Sequence, residues 1–94
     1  MSFAQLVDAD RRLMILRALS ETDGFGANRG LIKTFLDAGG HSVSTDRVDA
    51  DVAWLGEMGL VNLRDNAVLL TARGGDVATG RATVPGVRPL RPGE

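Results

Sequence analysis

At 94 residues the chain is the size of one domain, and folding at that length withdraws only about 65% of the unfolded surface from water, enough for a single modest core. Charged residues make up 24% and hydrophobic residues 44%, a balance too apolar for a disordered chain, while a formal net charge of −1 lacks the basic excess of a dedicated nucleic-acid binder. The absence of cysteine excludes a disulfide framework, a thiolate metal site and a cysteine nucleophile.

The first helix is expected from Phe3 to Ser20. Leu13, Ile15, Leu16 and Leu19 fall on one arc at about 100° per residue, with Arg11, Met14 and Arg17 opposite. Arg12 projects onto the apolar arc. It either lays its aliphatic stem on the core with the guanidinium in water, or meets a second subunit. Glu21 to Gly26, with two glycines and an aspartate, reads as a turn or a very short strand.

Asn28 is a good N-cap for a second helix. Leu31, Ile32, Phe35 and Leu36 supply its apolar stripe, and Gly39-Gly40 stops it. After a short connection, Ser44 caps a third helix running to about Met58, with Asp46 in the first turn suiting the helix dipole. Val48, Val52 and Leu55 share its inward face, and Asp46, Ala50, Ala53 and Glu57 share the other.

Gly59 ends that helix. Leu60 to Arg64, a turn at Asp65-Asn66 and Ala67 to Leu70 then read as a short β-hairpin. Thr71 caps a short fourth helix over residues 72–79, weakened by Gly74 and Gly75 and stopped by Gly80. Residues 81–94, with prolines and arginines and no amphipathic period, are expected to be an extended or mobile tail outside a domain of residues 1–80.

Two helices joined by a tight connection, followed by a two-stranded wing, give a mainly α (α+β) winged helix-turn-helix with a three-helix core. The stretch DVAWLGEMGLVNLRDNAVLLTARGGDVATG resembles the end of the third helix, the wing and the following helix of bacterial winged-helix proteins. Over nearly the whole chain, DADRRLMILRAL, GHSVSTDRVDADVAWLGEMGLV and LTARGGDVATGRATVPGV together resemble a family of small winged-helix proteins of Mu-like phages and prophages, found among late structural and packaging genes. That resemblance implies phage origin and the host cytoplasm, and brings no activity with it. The residues point to the same compartment, because no apolar stretch approaches the ~20 residues that span a bilayer and the first residues form no basic-then-apolar leader.

A DNA reader of this kind would place the third helix in the major groove, presenting Thr45, Asp46, Arg47, Asp49, Ala50 and Ala53. Arg47 is the best single base reader, its alternative being an intrahelical pair with Asp51. Between Ser44 and Met58, however, Asp46, Asp49, Asp51 and Glu57 face that one base, so phosphates are repelled unless other groups compensate. Arg64 and Asn66 on the wing, Arg29 and Lys33 on the second helix, and Arg73, Arg81, Arg88 and Arg91 further on are the candidates.

Trp54 is expected to close the seam under the wing, or else to stack on a base. The lone His41 reads as a turn or surface histidine and not as a metal ligand. GFGANRG lacks both the lysine and the preceding strand of a phosphate-binding loop, and no nucleophile, base and acid constellation stands out. No enzyme, cofactor or metal is therefore expected. The partners expected are double-stranded DNA, through a homodimeric regulator or packaging accessory, or a phage protein docked on the acidic third helix or on the first helix.

Overall fold

The computed structural model describes residues 2–94. Ser2 opens α1 (Phe3–Ser20) with a reciprocal cap: its hydroxyl accepts from the Gln5 amide at 3.2 Å, and the Gln5 side chain accepts from the Ser2 amide at 2.9 Å. Leu13, Ile15, Leu16 and Leu19 are fully buried, as their spacing predicts. A 3₁₀ turn (Asp23–Phe25) and β1 (Gly26–Asn28) lead into α2 (Arg29–Ala38). Asn28 caps that helix, accepting from the Leu31 amide at 2.8 Å. Of its stripe, Ile32 and Leu36 are buried, Phe35 is half-buried, and Leu31 points outward.

The third helix, α3 (Thr45–Glu57), begins where Ser44 accepts from the Arg47 amide at 3.2 Å, and it turns Val48, Val52 and Leu55 into the core. Strands β2 (Val61–Arg64) and β3 (Ala67–Leu70) form the hairpin, with Arg64 opposite Ala67 across the two-residue turn. Asp65 adopts a left-handed φ of 52° there, a conformation that Asp and Asn tolerate better than most residues. The sheet has three strands, not two. β1 adds to the free side of β3, antiparallel, with Ala27 opposite Val68, giving the order β1-β3-β2. The whole is an α+β unit of four helices packed against a three-stranded antiparallel sheet.

The last helix, α4 (Ala72–Ala78), is capped by Thr71, whose hydroxyl accepts from the Gly74 amide at 3.0 Å. Gly74 is more than a weak helix former. Any Cβ there would collide with the Leu60 carbonyl oxygen, so glycine lets α4 lie against the start of the hairpin.

Residues 81–94 run as turns and extended chain, as their composition suggests, but they do not hang free. Val84 and Val87 are buried members of the core, with Ala82 and Leu90 packed beside them. Removing two valines from water is what lays this strap down across α1.

Candidate interaction face

Two arginines of α1 depart from their expected places. Arg11, assigned to the polar side, is 3% exposed: it hydrogen-bonds the equally buried Asp51 of α3 through Nε and, at 3.1 Å, through Nη2, while Nη2 also reaches Asp8 at 2.7 Å. On the helix wheel Arg11 lies only about 40° from Ile15, so a modest widening of the buried arc takes it inside. Its paired carboxylates hold the guanidinium pKa above its ordinary value, the Asp51 hydrogen bond first. Arg12, expected to hold its head in water or against a second subunit, is 18% exposed and turns that head onto its own chain, with Nε 3.9 Å from Asp51 Oδ1. Its guanidinium stacks 4.1 Å from the Trp54 ring centroid, and Nη1 donates to the Gly86 carbonyl at 3.0 Å.

Asp51 therefore does not pair with Arg47, and its charge is spent inside the protein. Arg47 itself is exposed on the flank of α3 that it shares with Asp51 and Trp54, toward α1. Asp8 registers that position: its carboxyl is held below the usual range first by the Arg11 hydrogen bond, against the opposing effect of burial, and then by the charges of Arg11, Arg12 and Arg47. Asp49, two residues on and so about 200° around the helix, lies on the opposite flank. There its carboxylate receives Arg29 of α2 at 3.2 Å. Between these flanks the outward face of α3 consists of Asp46, Ala50, Ala53 and Glu57, all exposed, with Thr45 at the entrance.

The remaining expected contacts divide by position. Arg29 and Asn66 come together around a shallow pocket of about 260 Å³ that Asn28 and Gly30 complete. Arg64 and Asn66 line a wider groove beside it, with Asp65 and Asn28. The hairpin tip thus sits next to the start of α2. Lys33 lies further along α2, its ammonium 3.5 Å from Asp37 one turn away, and lines neither pocket. Of the arginines beyond the hairpin, Arg73 and Arg91 are exposed and Arg81 stands 3.9 Å from Asp76. Arg88 is consumed within the fold, donating to Asp10 at 2.6 Å and to both Glu94 oxygens at 2.8 and 2.9 Å.

Trp54 does not close the seam under the hairpin. It lies beneath Arg12 and the strap, where a Cβ on Gly86 would stand 2.7 Å from the indole. His41 occupies the expected connection but is drawn inward, 13% exposed, with Nε2 2.7 Å from Asp10 Oδ2. Among the described residues no group of three or more His, Cys, Asp or Glu side chains is placed to hold a metal ion, and no helix is long and apolar enough to cross a membrane.

Comparison with known proteins bears on the origin of this face. Over 91 residues the chain is 47% identical to gp26, an uncharacterised protein of Escherichia phage Mu, covering 93% of this chain and 94% of the phage protein. The chain belongs to the gp26 family of phage Mu. An uncharacterised protein of Haemophilus influenzae is 44% identical to this chain over 63 residues, 67% of this chain and 61% of that protein. The Mu-like phage family read from the sequence is thus established for the chain. No family model matches the chain, and no solved structure matches it.

Proposed function

We propose that this gp26-family chain is a winged helix-turn-helix module that binds a protein partner in a phage assembly, using the outward face of α3. The fold reading rests on the order of elements: α2 and α3 joined by a short connection from Gly39 to Ser44, then a hairpin, with β1 completing the sheet. The observation that carries the partner reading is the composition of the presented helix face. Ala50 and Ala53 form a floor without long side chains, Asp46 and Glu57 flank it, and the neighbouring bases Arg29 and Lys33 are tied to carboxylates. Duplex DNA brought to that face meets Asp46 and Glu57, with the exposed Arg47 set to its flank, whereas a protein surface with complementary positive groups meets no such repulsion. The module works by binding and not by catalysis, in the host cytoplasm where phage components assemble.

A second reading has its own support. Arg64 and Asn66 at the hairpin tip, beside the first turn of α2 with its free main-chain amides, suit the phosphates of double-stranded DNA. In that reading the chain is a regulator or packaging accessory, acting as a homodimer through the exposed Phe3 and Leu6 at the start of α1.

One pair of experiments separates the readings. Co-purification from phage-infected cells is expected to recover a partner with the wild-type chain and to lose it in Asp46→Arg/Glu57→Arg, with the helical signal unchanged. Fluorescence anisotropy on phage DNA at low salt is expected to show no binding. Salt-sensitive DNA binding that Arg64→Ala abolishes would replace the first reading with the second.

A further inference from the structure

The strap of residues 81–94 is attached unlike any other part of the molecule. At its root the Arg81 and Ala82 amides donate to the Asp76 carbonyl of α4, at 2.8 and 3.1 Å. Beyond that root, among the described residues, one main-chain hydrogen bond joins it to the rest of the fold, from the Arg88 amide to the Ala9 carbonyl at 3.1 Å. It pairs with no strand, and its other main-chain bonds are internal, Val87 to Val84 and Glu94 to Arg91. Lifting it therefore unzips neither the sheet nor a helix.

Its grip is concentrated in two places. Val84 and Val87 sit in the core near the root. Near the tip a clasp of charged groups closes: Arg88 holds Asp10 of α1 and both oxygens of Glu94, and Arg17 of α1 reaches Glu94 at 3.3 Å. His41 backs Asp10 from the other side. The Arg17 and Arg88 bonds to Glu94 lie toward solvent, where ion pairs are weak and screened by salt, and the Arg88 and His41 contacts to Asp10 are half-buried.

What the strap covers is also unusual. Gly86 rests on the Trp54 indole and takes a hydrogen bond from Arg12, whose Nε lies 3.9 Å from Asp51 Oδ1.

We infer that the strap is a releasable cover over the Trp54 and Arg12 face, closed by the Asp10, Arg88 and Glu94 clasp, and that it opens while the helices and sheet stay folded. The lone tryptophan makes this directly observable. In the full chain, Arg88→Gln removes the clasp, and the quenching of Trp54 by acrylamide is expected to rise about twofold or more with the far-ultraviolet helical signal unchanged. Arg81→Gln, at a 79% exposed side chain outside the clasp, is expected to leave quenching as in the wild type. Hydrogen exchange of the unaltered chain supplies an independent reading, in which the Arg88 amide exchanges roughly tenfold faster or more than the Leu13 and Leu55 amides. Quenching that stays unchanged in Arg88→Gln, quenching that rises only as helicity is lost, or an Arg88 amide that exchanges in step with the helical core, would each overturn the inference.

Discussion

Replacing Asp51 by asparagine tests the buried ion pair between α1 and α3. In the wild type Asp51 is 2% exposed and accepts two hydrogen bonds from Arg11, itself 3% exposed. The substitution leaves the guanidinium in place and removes the negative charge facing it. Breaking one side of a buried pair generally costs about 3–5 kcal/mol, because the stranded charge keeps its desolvation penalty. Asp8 remains 2.7 Å from Arg11 with 31% of its side chain exposed, which places the expected loss near the lower figure, about 3 kcal/mol. A chain of this length has a total stability of roughly 5–14 kcal/mol. The midpoint of thermal unfolding should therefore drop by more than about 12 °C, at roughly 4–8 °C per kcal/mol. Urea unfolding followed by circular dichroism measures the loss directly, and the slope should stay that of the wild type. The double replacement Arg11→Met/Asp51→Leu should recover most of the stability, since a matched apolar pair needs no desolvation of charge. A loss below about 1 kcal/mol for Asp51→Asn, in the range of surface pairs, would refute the reasoning.

Three further outcomes follow from the packing and the ionisation of the fold. Gly74→Ala should destabilise by about 1–3 kcal/mol in a urea titration, because the added methyl meets the Leu60 carbonyl and forces α4 from its seat. Asn28→Ala should cost about 1 kcal/mol by the same measurement, leaving the Leu31 amide without its acceptor. The Arg88 hydrogen bond and then the Arg91 amide pull the Glu94 carboxyl down from 4.5 to about 2; at Asp10 burial raises the pKa, but the His41 and Arg88 hydrogen bonds outweigh it and leave the carboxyl lowered. Depressed carboxylates stabilise the fold above their unfolded values and lose that contribution as pH falls through the folded ones. The stability difference between wild type and Glu94→Gln should therefore be full above pH 4.5, shrink toward pH 2, and be measurable by thermal unfolding across that interval.

The elements legible in the sequence were those whose signals are local. Ser44, Asn28 and Thr71 each cap the helix that follows them, and Asp65-Asn66 makes the two-residue turn its dipeptide suggests. The turn or short strand expected over Glu21 to Gly26 meets β1 only at Gly26, because three residues, one of them glycine, carry no alternation; pairing with β3 makes Gly26 to Asn28 a strand. The strap showed no period because extended chain has none at helical spacing, and the burial of Val84 and Val87 depends on a core assembled from residues distant in sequence. Arg11 and Asp51 lie 40 residues apart, each at the edge of an apolar stripe, and nothing local tells a charged stripe edge that faces another helix from one that faces water. Of the residues expected to form one contact surface, the fold gathers Arg29, Arg64 and Asn66 at one end and turns Arg47 to another side of α3.

The third strand has a consequence for how the molecule is made. β1 leaves the first half of the chain and finds its partner only at Ala67 to Leu69, so the sheet closes after α1, α2, α3 and the hairpin have all been synthesised. Pairing across such a sequence separation carries a loop-closure cost that neighbouring helices do not face, and it slows folding relative to a bundle of the same size. A ribosome-bound chain that ends before Leu70 thus holds its helices without the strands that cover them, and their apolar faces remain available to chaperones until the hairpin emerges.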